Sequence, residues 1–129
     1  KLLVTASQRS SVESARDNVS DTVRAAFELG GAVVTTNGGY PGWKPNVKSE
    51  ILKVACDTYK ELFGADAKIK AIHAGLECGI ISTNYPGMDM ISFGPTICYP
   101  HSPDEKVNIA SVAKFYDFLL NTLRNAPKK

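Results

Sequence analysis

The sequence lacks any apolar run approaching the ~20 residues that a helix needs to span a bilayer. Its opening residues form no signal-peptide pattern. The 15 Lys and Arg are scattered among 13 Asp and Glu, for a net charge of +2, and no basic stripe with interleaved aromatics appears. Membrane insertion and nucleic-acid binding are therefore poor readings. Cysteine is scarce: Cys56, Cys78 and Cys98 are odd in number, widely spaced and without a C-x-x-C. That pattern argues against a disulfide scaffold and for reduced thiols, so a cytoplasmic location is expected. Each thiol reads most simply as a small buried hydrophobe. Histidine is scarcer still, at His73 and His101 alone.

What is present is enough for a core. Hydrophobic residues make up 43% of the 129 residues and charged residues 22%, which is not the balance of a disordered tail. The length fits one domain, or two small pieces of a larger one. The first residue is Lys1 rather than Met, so the chain is expected to begin inside a longer protein.

KLLVTASQ reads as a strand. Ser10 followed by Glu13 has the spacing of a capping box, and Val12, Ala15, Val19, Val23, Ala26 and Phe27 recur on one helical face. Gly30 and Gly31 end that helix, and the β-branched AVVTT follows as a strand. NGGYPGWKPN is the strongest break in the chain and reads as a boundary or hinge, with Trp43 pinning it to neighbouring surface. Beyond it, Ser49 caps a helix that Gly64 ends. AKIKAI is a strand, AGLECGIIST opens a short helix, MDMISFG is a strand, PTICYPHSPDEKV is a loop, and a last amphipathic helix starts near Ile109. Strands separated by helices favour an α/β fold with a parallel sheet. Two strands alone do not make a stable sheet, so the second part is expected to need strands from elsewhere.

Both histidines fall at strand-to-loop junctions, where ligands of α/β sheets bind. Ala74-Gly75 opens a helix whose free N–H groups suit a carboxylate or oxyanion. Glu77 in its first turn is equally explained as a charge favoured by the helix dipole. His101 has Asp104 and Glu105 nearby. An imidazole is a common metal ligand, but a lone loop histidine is more often structural or merely exposed, and Asp104 serves equally as a cap. Cys98 and His101, with His73 and Cys78, have the ligand types of a structural zinc site, although not the spacing of a zinc finger. A non-catalytic α/β module that captures an anion at Ala74-Gly75 is a further alternative.

IHAGLECGIIS, MDMISFGPTI and HSPDEKVNIASV, in that order and followed by a terminal apolar helix, resemble the C-terminal end of aminoacyl-histidine dipeptidases, the carnosinase-like members of the di-zinc peptidases. RSSVESAR and GGYPGWKPN also resemble that family, so the likeness spans essentially the whole chain. It implies that residues 1–42 are the last β-α-β of a lid domain and 43–129 the C-terminal part of a catalytic α/β domain. It implies hydrolysis of dipeptides with a C-terminal histidine and two zinc ions per active site; a half-sheet stripped of its partner strands would expose edges and apolar surface, so a homo-oligomer is expected. His101 is the implied zinc ligand. His73, Gly75 and Glu77 are implied substrate-binding residues, with Arg9 from the lid. The family's other ligands and its general base belong to motifs that this chain lacks. The expectation is therefore a fragment with no catalytic residue and no activity of its own.

Overall fold

The structure is a computed structural model that describes residues 1–39, 41–71 and 77–127. Its helices begin and end where short-range chemistry directs, with one exception at the first. Helix α1 (Glu13–Leu29) has Val12 as its N-cap rather than Ser10. The Ser10 hydroxyl accepts instead from the Val12 N–H at 3.1 Å, so the predicted capping box does not form. The C-terminus closes as expected. Gly31 takes φ +82°, its N–H donates to the Glu28 carbonyl at 2.9 Å, and the Ala32 N–H reaches Phe27 at 3.0 Å. This paired arrangement satisfies the last carbonyls of the helix and needs a left-handed residue that glycine supplies without strain.

Helix α2 (Glu50–Phe63) starts on Ser49, whose buried hydroxyl accepts from the Leu52 N–H at 3.0 Å. The Asp89 carboxylate accepts from the Ile51 N–H at 3.0 Å, so a second orphan donor of the same turn is satisfied from 38 residues away. Gly64, at φ +64°, ends the helix. Helix α3 (Glu77–Asn84) is followed by a turn through Pro86 and Gly87. Strands β1 (Ile97–Cys98) and β2 (Lys106–Val107) form an antiparallel ladder with Ile97 opposite Val107. Helix α4 (Ile109–Asn125) is capped by Asn108, which accepts from the Ser111 N–H at 3.2 Å.

Two expectations are corrected here. The segments read as strands at 1–8, 32–36, 67–72 and 88–94 join no β ladder among the described residues, which leave out residue 72. Strand propensity is realised only against a neighbouring strand, and the described residues offer these segments none. Conversely, PTICYPHSPDEKV is not a plain loop but the β1–β2 hairpin. Two-residue strands are too short to show an alternating pattern.

The chain forms two compact units, Lys1–Asn46 with Lys70–Met88, and Val47–Ile69 with Asp89–Lys129. In the second, α2 packs on α4 through aromatic edges. Tyr59 lies 4.7 Å from Phe63 and 5.4 Å from Phe118, and Phe93 lies 4.7 Å from Phe118. Such pairs contribute about 0.5–1.5 kcal/mol each beyond the area they bury. The Lys114 ammonium caps the cluster 4.2 Å from the centre of the Phe63 ring. Thr58 is buried in this unit and accepts from Asn125 at 3.2 Å.

Burial is otherwise sparse. Ala55 is the buried hydrophobic residue among those described, and no residue of α1 is buried. Leu3 is 90% exposed and Val33 96%. Apolar surface on this scale favours association. The isolated 129-residue chain is expected to run as oligomers in light scattering; a single monomeric species on dilution and on concentration would refute this.

Candidate functional site

The β1–β2 hairpin carries His101 at its exposed tip. Its turn holds two non-glycine residues in the left-handed region, Tyr99 at φ 54° and His101 at φ 63°. That conformation costs a residue with a Cβ about 1–2 kcal/mol, and local hydrogen bonds offset it. The Ser102 hydroxyl donates to the Tyr99 carbonyl at 2.8 Å. The Glu105 N–H donates to the Ser102 carbonyl at 3.1 Å, and the Asp104 N–H to the Ser102 hydroxyl at 3.3 Å. The Glu105 carboxylate accepts from the His101 N–H at 2.6 Å. Lys106 lies over the Tyr99 ring at 5.3 Å. The main chain of this turn is thus tied at each reversal, while the imidazole stands at the surface.

Of the two carboxylates noted beside His101, Glu105 makes the bond, to the peptide N–H of the histidine. No spacing rule marks that contact in advance. It depends on a turn of two left-handed residues that propensity disfavours.

In the other unit, Arg9 lines a small cavity of about 90 Å³ together with Ser7, Arg16, Gly38, Gly39 and Pro41. Arg9 is exposed. Arg16 is half-buried and donates to Asp17 through Nε at 3.0 Å and Nη2 at 2.8 Å. The cavity therefore presents one guanidinium held by a neighbouring carboxylate and one reaching toward solvent. A guanidinium can bind a carboxylate in a two-pronged fashion.

Pro41, at the rim of that cavity, also touches α3. A Cβ placed on the buried Gly79 would overlap the Pro41 carbonyl oxygen and lie 3.3 Å from its carbon. A Cβ on Gly42 would come within 2.8 Å of the Ser10 carbonyl oxygen. Pro41–Gly42 is thus threaded between the chain before α1 and the helix that begins at Glu77. This close approach was missed in the sequence, where Gly79 reads only as the last residue of HAGLECG.

Glu77 is exposed as the first residue of α3. Burial, and next the adjacent Glu77 charge, push the Cys78 thiol above its ordinary value of 9.0, against a smaller lowering by a backbone hydrogen bond. His73 and Gly75 lie outside the described residues. Among the described residues, no three His, Cys, Asp or Glu side chains converge as a metal site. His101 stands exposed at the hairpin tip, with an imidazole of the chemistry that a metal site uses but without such a cluster around it among the described residues.

Residues 8–125 match the peptidase family M20/M25/M40. The cytosol non-specific dipeptidase of Escherichia coli (strain K12) is 43% identical over 121 residues, covering 94% of this chain and 25% of that protein. The crystal structure of aminoacylhistidine dipeptidase from Vibrio alginolyticus superposes with a TM-score of 0.73 at 46% identity, over 92% of this chain and 24% of that one. The chain spans about a quarter of the length of these relatives. Its mixed helix-and-sheet architecture is that of the corresponding part of the Vibrio enzyme, and the resemblance carried by the HAGLECG and HSPDE motifs holds. The chain belongs to peptidase family M20/M25/M40.

Proposed function

We propose that this chain is part of a zinc-dependent dipeptidase that hydrolyses dipeptides with a C-terminal histidine. In this reading residues 1–42 belong to the lid and 43–129 to the catalytic domain. The observation that carries it is the hairpin, which ties the main chain leading into an exposed His101 by hydrogen bonds at the Tyr99 carbonyl and at the His101 N–H. A histidine held in this way suits a metal ligand, because its backbone need not reorganise when the ion binds.

His101 is proposed as one zinc ligand, with the remaining ligands and the general base supplied from outside this chain. The chemistry that zinc supplies when bound is polarisation of the scissile carbonyl and lowering of the pKa of water. Arg9 is proposed to bind the terminal carboxylate of the dipeptide. Glu77, with His73 and Gly75, is proposed to shape the substrate pocket. The chain alone is proposed to be inactive until completed by those outside groups, and a cytoplasmic location is proposed because one relative is named a cytosol dipeptidase.

The test is hydrolysis of alanyl-histidine and alanyl-alanine by the intact peptidase that contains this chain. A preference in kcat/KM for alanyl-histidine is expected, and equal values would remove the histidine specificity. Arg9→Ala is expected to raise KM about 10–100-fold with a smaller change in kcat, the loss of one charge-assisted hydrogen bond. An unchanged KM would reject Arg9 as a carboxylate ligand.

A further inference from the structure

We infer that Glu105 is a positioning residue for His101, acting through the main chain of the hairpin. The inference rests on the reading of His101 as a metal ligand. The direction of the His101 Cα–Cβ bond is set by a backbone that is left-handed at both Tyr99 and His101. Residues with a Cβ leave that region unless the surroundings hold them there. At Tyr99 the hold is the Ser102 hydroxyl on its carbonyl, at 2.8 Å. At His101 itself it is the Glu105 carboxylate on its N–H, at 2.6 Å.

Without that acceptor, the His101 N–H turns to water and the residue relaxes toward an ordinary φ. The imidazole then leaves its place and must be brought back at every binding event. Groups that orient a metal-bound histidine usually bind its second ring nitrogen. Here the orienting contact is with the peptide N–H, so the requirement is an acceptor oxygen at the reach of a Glu side chain. Glutamine meets that requirement. Aspartate, one methylene shorter, and alanine do not.

The experiment measures zinc affinity of the intact, metal-stripped peptidase by competition with a chelating dye, together with thermal unfolding of the metal-free protein. Glu105→Ala and Glu105→Asp are expected to weaken one zinc site about 10–100-fold, the usual loss for an orienting partner. Glu105→Gln is expected to retain most of the affinity, and all three metal-free proteins are expected to unfold near the wild-type temperature. Wild-type affinity in Glu105→Ala or Glu105→Asp would overturn the inference, as would a loss that Glu105→Gln does not rescue. So would a loss matched by lower stability of the metal-free protein, which marks a residue that only holds the fold. His101→Ala separates the two readings. If it weakens zinc binding while Glu105→Ala does not, this inference alone falls. If His101→Ala binds zinc normally, the ligand assignment falls and this inference with it.

Discussion

His101→Ala in the intact peptidase is expected to lose zinc at one site and dipeptide hydrolysis together. The loss should exceed the ~10–100-fold typical of removing a group that merely orients a ligand, because the donor atom itself is gone. The fold should not suffer. His101 is exposed, and its hydrogen bond to Glu105 uses the peptide N–H, which alanine keeps. His101→Gly makes the separation sharper. Glycine adopts φ 63° without the penalty that a Cβ carries, so this variant should be as stable as wild type or about 1 kcal/mol more stable, yet equally inactive. Zinc content by mass spectrometry, kcat/KM and urea unfolding on the two variants decide the matter. Full activity with two bound zinc ions in either would reject His101 as a ligand.

The left-handed backbone at His101 also makes this position hard to read from sequence. A single histidine in a Pro-rich loop has no helical or strand period, and the residues alone leave open a structural or exposed side chain, a metal ligand, or a donor paired with Cys98. HSPDE marked it only through family likeness. Its geometry, with two left-handed non-glycine residues, opposes local propensity, so no propensity argument leads to it. The helices behave in the opposite way. Ser49 and Gly64 bracket α2 where their side-chain chemistry says they should, and α4 begins at Ile109 as its apolar spacing requires. Caps act over three or four residues, and sequence displays them directly. Ser10 shows the limit: its hydroxyl can serve Val12 as readily as a residue further along, and the nearer bond won.

Long-range pairing was the least legible part. AVVTT and AKIKAI have strand composition, but composition does not supply a neighbour. The same holds for Phe93. Its segment, MDMISFG, reads as a strand, yet in the structure its ring packs on Phe115 and Phe118 of α4. The family relation recovers the α/β fold because it compares whole arrangements rather than local preferences.

Gly79 is the second position where a large effect is expected, and local preference again points the wrong way. It lies inside α3, where replacing glycine by alanine normally stabilises a helix by about 1 kcal/mol. Here the new Cβ would overlap the Pro41 carbonyl oxygen, with the Gly42 carbonyl carbon 3.5 Å away on the same side. These neighbours are backbone, and the Pro41–Gly42 stretch is itself in close contact with Ser10 and Ser11. No flexible side chain can move aside. Overpacking of this kind costs about 1–3 kcal/mol, and a clash between main-chain segments belongs at the upper end. Gly79→Ala is therefore expected to lower stability by about 2 kcal/mol after the helix gain is subtracted. Because Pro41 lines the cavity beside Arg9, the displacement should also raise KM for the dipeptide. Gly94→Ala is the control, since a Cβ there meets nothing within 4 Å. Urea unfolding of the two variants gives the answer. A Gly79→Ala protein as stable as Gly94→Ala would mean that α3 does not rest on Pro41.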